Sequence, residues 1–186
     1  GRNFKESLQK GLVSLEIGYK GLDSLNNLSN KELRKKLSQN LPDKLIVVAE
    51  AIRRNISIKN IYKFTKIDPW FLEQISDLIK IEKKLKKNGV PKNFKEFSFI
   101  KSMGFSDSKI AELTKSSIKT IENRRRKLKI FPVFKKIDTC AAEFKSETPY
   151  MYSTYQRLSG NSVDCESNPT KKEKIIILGG GPNRIG

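Results

Sequence analysis

The chain has no histidine and only two cysteines, Cys140 and Cys165, among its 186 residues. The first absence removes the usual general base from any Ser- or Cys-based nucleophilic scheme. Together the two shortages leave a zinc site almost without ligands, and two thiols cannot build a disulfide framework. Long apolar runs are missing as well. No stretch approaches the ~18 residues of a membrane span, and "GRNFKESLQK" opens as an amphipathic helix rather than a signal peptide. These absences predict a cytoplasmic protein without a membrane partner. Acid is the third shortage: 20 Asp+Glu stand against 38 Lys+Arg, a formal net charge of +18.

The positive charge is densest over residues 80–136, which hold 18 Lys+Arg and 5 Asp+Glu. Such density is the electrostatic footprint of nucleic-acid binding. The plainer reading is that lysine is the default surface residue of this composition and solvates helix faces. At 186 residues and 37% hydrophobic content the chain can bury a core as one domain, or as one domain with part of another.

Apolar spacing predicts a mainly α protein. Phe4, Leu8, Leu12 and Leu15 recur at helical intervals and end at Gly18 and Gly21. Leu33 and Leu37 mark a second helix. Leu45, Val48, Ala49 and Ile52 mark a third behind Pro42-Asp43. In "IDPWFLEQISDLIKIEKKLKKNG", Asp68 suits an N-cap and Pro69 the first helical position. Ile75, Leu78, Ile79 and Leu85 form the stripe, and Gly89 stops the helix. From Ile130 onward the helical period fades into irregular extended chain, and "SGNSVDCESNPTKKE" is a polar linker.

An internal echo appears at an offset of 49: "ISIKNIYKFTKID" lines up with "FSDSKIAELTKSS". Ser57 matches Ser106, Ile61 matches Ile110, Phe64 matches Leu113, Thr65 matches Thr114, and Asp68 matches Ser117. Leu72 then matches Ile121. Two stacked helix hairpins are expected from such a repeat. The second copy also scans as a DNA-binding helix–turn–helix, so a small basic nucleic-acid-binding protein is the alternative reading. Arg124, Arg125 and Arg126 lie at the C-terminal end of its second helix, where cations favour the helix dipole and where backbone phosphate contacts are more natural than base contacts. The first copy carries Trp70, Phe71 and Leu72 there, which is core or interface material, and this makes nucleic acid the less favoured partner.

Two stretches offer chemistry. "IDTCAAEFKSETPYMYSTY" places Cys140 near Glu143, but an activated thiol needs an imidazole, a cation or a helix N-terminus, and only Lys135 and Lys136 are close in sequence. A small packed cysteine, with Tyr150, Tyr152 and Tyr155 anchoring extended chain, is the simpler expectation. "KIIILGGGPNRIG" couples a strand-like run, Ile175–Leu178, to a glycine turn. It fails the G-x-G-x-x-G spacing, because Arg184 occupies the third glycine's place. Gly181 and Gly186 satisfy a P-loop's glycines without the lysine that should follow.

Read together, "IDTCAAEFKSETPYMYSTY" and "KIIILGGGPNRIG" closely resemble the middle of the carbamoyl phosphate synthetase large subunit. "GRNFKESLQKGLVSLE", "TKIDPWFLEQI" and "MGFSDSKIAEL" resemble it in the same order. The resemblance implies two ATP-grasp halves joined by a helical oligomerisation domain. Residues 1–22 would be the tail of the first half and 23–170 the helical domain with its linker. Residues 171–186 would be the first strand and loop of a truncated pre-ATP-grasp α/β domain. It implies a ligase that makes carbamoyl phosphate for arginine or pyrimidine synthesis from bicarbonate, glutamine-derived ammonia and two ATP, with Mg or Mn. A glutaminase small subunit and homo-oligomerisation through the helical domain are the implied partners. No catalytic or metal-binding residue carries over. Gly179, Gly180, Gly181, Asn183 and Arg184 match the loop that opens the second half and are the implied cofactor-binding residues.

Overall fold

The computed structural model describes residues 1–25, 27–138, 143–144, 150–155, 165–175 and 177. Among the described residues, eight helices precede one small sheet: α1 (Phe4–Ser14), α2 (Asn30–Ser38), α3 (Lys44–Arg53), α4 (Ile58–Thr65), α5 (Pro69–Asn88), α6 (Phe94–Ser102), α7 (Asp107–Thr114) and α8 (Ile118–Lys127). Strands β1 (Val133–Lys136) and β2 (Met151–Thr154) pair antiparallel, with Val133 opposite Thr154 and Lys136 opposite Met151. The mainly α expectation holds. The sheet is an addition, since strand pairing between residues so far apart leaves no local signature.

Most helices start at a side-chain cap that the sequence advertises. Ser57, Ser106 and Ser117 each accept the N3 amide, and Asp68 accepts Trp70 N–H ahead of Pro69. Ser29 and Glu32 form a reciprocal capping box. At its far end α5 stops at Gly89, whose φ of +74° is open to glycine at no steric cost.

The core runs through every helix. The central one is α3, in which Ile46 to Ile52 are all buried, surrounded by Leu33 and Leu37 of α2, Ile61 of α4, and Leu72, Ile75, Leu78 and Ile79 of α5. Phe97, Phe105, Ile110 and Ile121 extend the same core into α6–α8. The sequence reading had no counterpart for α6, because "FKEFSFIKS" spreads four apolar residues over both faces and blurs the 3.6-residue period. Asn93, which caps it, was the available signal.

The repeat at offset 49 is real and longer than the sequence alignment indicated. Thr65 and Thr114 both donate their hydroxyls back to the carbonyl four residues earlier, on Ile61 and Ile110. Lys66 and Lys115 both close their helices in the left-handed conformation. Upstream, Arg54 N–H bonds Glu50 C=O and Asn55 N–H bonds Ile52 C=O. Met103 to Phe99 and Gly104 to Lys101 are the same two bonds 49 residues later. The unit is therefore three helices, α3–α5 and α6–α8.

One expectation shifts in α1. Its buried face carries Glu6, Gln9 and Leu12, while Leu15 lies beyond the helix and is exposed. The polar residues bury because each has a partner: Gln9 Nε2 donates to Met103 C=O at 2.8 Å, and Glu6 Oε2 accepts from Arg2 N–H and the Thr154 hydroxyl.

Candidate functional site

Four clusters of buried charge fasten non-helical segments to the helical body. On the first unit, Arg53 grips Glu82 with two bonds of 2.8 and 3.0 Å and reaches Glu50 at 3.3 Å, while also donating to the carbonyls of Leu22 and Asp23. Next to it Arg54 binds Glu50 at 2.8 Å and the carbonyls of Leu25 and Leu28. Leu22, Asp23, Leu25 and Leu28 lie outside regular structure, so these guanidiniums satisfy their carbonyls. Burial alone pulls Arg53 down, but the hydrogen-bonded Glu82 and Glu50 carboxylates outweigh it and hold the guanidinium above its ordinary value. Burial likewise opposes ionisation of Glu50, and Arg54, the Leu25 amide and Arg53 together keep its carboxyl below the usual range.

A second cluster lies on α7. The Lys109 ammonium, almost wholly buried, sits 2.8 Å from Asp23 and 3.0 Å from Glu112, which also meets Lys20. The third lies where α6 meets α7. Lys101 contacts Asp107 at 2.7 Å and the Phe105 carbonyl, and Arg125 contacts the other Asp107 oxygen at 3.0 Å. Tyr155 covers this triad, with Lys101 Nζ 4.7 Å from the ring centroid and the Arg125 guanidinium at 5.9 Å. Burial lowers Lys101 despite Asp107, and the two cations outweigh burial to hold the Asp107 carboxyl down. A fourth contact joins β2 to α1 through Thr154 and Glu6. The second Glu6 oxygen lies 2.9 Å from Lys10, an ion pair without hydrogen-bond geometry.

Glu6, Glu50, Glu82 and Asp107 are turned inward, matched by the inward Arg53, Lys101 and Lys109. Among the described residues no three His, Cys, Asp or Glu side chains converge on a possible metal position, and no helix is long and apolar enough to cross a membrane. Of the arginine triplet, Arg125 is structural, while Arg124 and Arg126 are exposed on a helix that buries only Ile121.

The sequence-derived site residues fare unequally. Gly179, Gly180, Gly181, Asn183 and Arg184 lie outside the described residues, as does Cys140. Ile175 and Ile177 of the strand-like run are 90% exposed and in no strand. Cys165 accepts from Phe134 N–H and stands 3.2 Å from the Ser167 hydroxyl, contacts that lower its thiol. Sequence reasoning missed the charge clusters. Their partners stand as far as 148 residues apart, and nothing local announces them.

The described residues form a helical body of two repeated units whose buried polar groups hold irregular segments against it. Residues 1–129 match the family model described as carbamoyl-phosphate synthetase large chain, oligomerisation domain. Over its whole length the chain is 42% identical to the carbamoyl phosphate synthase large chain of Mesorhizobium japonicum, 44% to that of Pseudomonas aeruginosa and 45% to that of Buchnera aphidicola. The chain belongs to the carbamoyl-phosphate synthetase large-chain family. It spans 17% of the length of each of these relatives.

Proposed function

We propose that the chain is the internal scaffold segment of a carbamoyl phosphate synthetase large subunit. It would join two ATP-grasp halves and carry homo-oligomerisation. The observation that carries this reading is a family match along the entire chain at 42–45% identity, combined with coverage of only 17% of each relative. The parent protein would make carbamoyl phosphate in the cytoplasm from bicarbonate, ammonia supplied by a glutaminase small subunit, and two ATP. Residues 1–22 would close the first half and 171–186 would begin the second. Gly179, Gly180, Gly181, Asn183 and Arg184 would form the second half's opening loop. Magnesium or manganese on the ATP phosphates would neutralise charge during transfer. By the family resemblance, the ligands of that metal would lie in the ATP-grasp halves.

Calorimetry with Mg-ATP tests the assignment. A phosphate site of strand–loop–helix type draws much of its strength from helix N-terminal amides, so the 186-residue chain is expected to bind no Mg-ATP while a chain extended through the next domain does. Micromolar binding by the 186-residue chain alone overturns the reading.

A further inference from the structure

Helix α1 is seated on both repeated units. Phe4 packs against Trp70 and Phe71 of α5 with ring centroids 5.4 and 5.2 Å away, and Lys5 meets Asp77 at 3.0 Å. On the second unit, Asn3 and Gln9 donate to the carbonyls of Ser102 and Met103 at 3.3 and 2.8 Å. The same helix also reaches the ribbon of β1 and β2. Glu6 Oε2 accepts the Thr154 hydroxyl at 3.0 Å, with both residues wholly buried. One turn on, Lys10 pairs with Glu6 at 2.9 Å, donates to the Ser153 carbonyl and lies 6.0 Å from the Tyr152 ring centroid. Three successive β2 residues thus meet two residues of one helix face.

The ribbon depends on that contact. Two strands of four residues each are marginal alone in water and gain order by packing against a helix. Within the ribbon only Val133, Lys135 and Thr154 are buried, too little apolar surface for a core of its own. Away from α1, β1 grips the chain that follows. Phe134 C=O accepts Glu166 N–H at 2.8 Å, while the Glu166 carboxylate accepts from Lys136 N–H at 2.7 Å and Lys135 Nζ at 3.1 Å. A continuous line of bonds therefore runs from α1 through β2 and β1 to Glu166. We propose that α1 is a strap that fixes the ribbon, so that a displacement of α1 passes through both strands to the chain approaching residue 171. The proposal rests on the scaffold reading above, in which α1 ends the first half and residues 171–186 begin the second. It adds to that reading a direct line of contact between the two ends of the segment, running beside the helical core.

Residue-resolved hydrogen exchange of the 186-residue chain is the test, because exchange reports local opening element by element. Thr154→Val removes the hydroxyl and keeps the shape. It should speed exchange about tenfold in β1, β2 and α1 alike, since coupling between two elements is reciprocal. Thr154→Ser, which keeps the hydroxyl, should stay near wild type in all three. Lys10→Met, at a partly exposed position, should speed exchange of the Glu166 amide although both strands lie between them. Amides of α3 should keep their wild-type rates throughout. Faster exchange in the ribbon with α1 unchanged overturns the strap, because α1 is then held by the two units alone. An unchanged Glu166 amide in Lys10→Met overturns the transmission, and equal acceleration in α3 overturns it by revealing general loosening. Each of these failures leaves the scaffold assignment, which Mg-ATP binding tests, standing.

Discussion

The two three-helix units share a backbone and trade their chemistry. Arg53, Glu50 and Glu82 of the first unit correspond to Ser102, Phe99 and Phe131 of the second, while Lys101, Asp107 and Arg125 of the second correspond to Ile52, Ile58 and Ser76 of the first. Each unit thus carries a charged cluster where the other is apolar or neutral, and each cluster ties down irregular chain. The first holds the carbonyls of Leu22, Asp23, Leu25 and Leu28, while the second holds Tyr155 and, through Lys109, the Asp23 carboxylate. A repeat supplies the helical frame twice. The polar substitutions turn each copy into an anchor for something the repeat itself does not encode.

The sharpest way to break this comparison is at equivalent positions 53 and 102. Arg53→Met leaves the Glu82 carboxylate buried without its arginine, takes the second of two arginines from Glu50 and frees the Leu22 and Asp23 carbonyls, at an expected cost of about 3–5 kcal/mol. Ser102 donates only to Phe99 C=O within its own helix, so Ser102→Ala should cost less than about 1.5 kcal/mol. Urea unfolding of both variants measures the gap. Equal losses would mean that the first unit's charges are as dispensable as the second unit's serine.

Glycine and asparagine give a second, smaller contrast. Asn55 (φ +62°) and Gly104 (φ +89°) occupy the same left-handed turn between first and second helices. Only the second unit has α1 lying against that turn. A Cβ on Gly104 would stand 2.8 Å from Glu6 Cα and 3.2 Å from its carbonyl, both backbone atoms that cannot step aside. Gly104→Asn, copying the sibling, should therefore cost more than about 2 kcal/mol, since α1 must lift as well as the turn accept a side chain. Asn55→Gly should stay within about 1 kcal/mol of wild type. Thermal melts of the two variants read the difference. A neutral Gly104→Asn would show that α1 is not seated where its hydrogen bonds to Ser102 and Met103 carbonyls place it.

The frame was legible in the sequence because its signals are local. Ser57, Ser106 and Ser117 sit at caps, Ile61, Ile110, Leu72 and Ile121 sit at buried positions, and a constant offset links them. Trp70 and Phe71 were legible as core or interface, and they are exposed on one side and packed on Phe4 on the other. What was not legible is pairing across distance: Glu6 with Thr154, Lys109 with Asp23, Lys135 with Glu166. A lone lysine in sequence looks like any other solvated lysine. Burial turns Lys101 and Lys109 into fixed structural charges, and burial is a property of the assembled fold. The inward Lys135 and outward Phe134 of β1 show the same limit, since the strand's alternation, read without its sheet, would be assigned to the opposite faces.

The smallest expected effect sharpens the comparison at the second anchor, through pH. Asp107 is held below its ordinary value by Lys101 and Arg125 against the penalty of burial. A carboxyl depressed in the folded state contributes stability that is complete above its unfolded value. That stability is lost as pH falls through the lower folded value. The chain should therefore be insensitive to this group near neutrality and lose its contribution below about pH 4, near the ordinary aspartate range. Glu50 behaves alike in the first unit, so acid weakens both anchors. The two separate by substitution. Asp107→Asn keeps the shape, removes the titrating charge and leaves Lys101 and Arg125 facing each other beneath Tyr155, at a cost on the order of 1 kcal/mol at pH 7 because Arg125 and Asp107 remain partly open to water. As pH falls below about 4 the difference between wild type and variant should shrink. Tyrosine-selective spectroscopy should show the Tyr155 environment loosening in the variant at neutral pH while the helical signal stays unchanged. A constant difference between the two proteins from pH 7 to pH 3 would mean that Asp107 acts by shape alone, and that the second unit's charges do not anchor the strand segment.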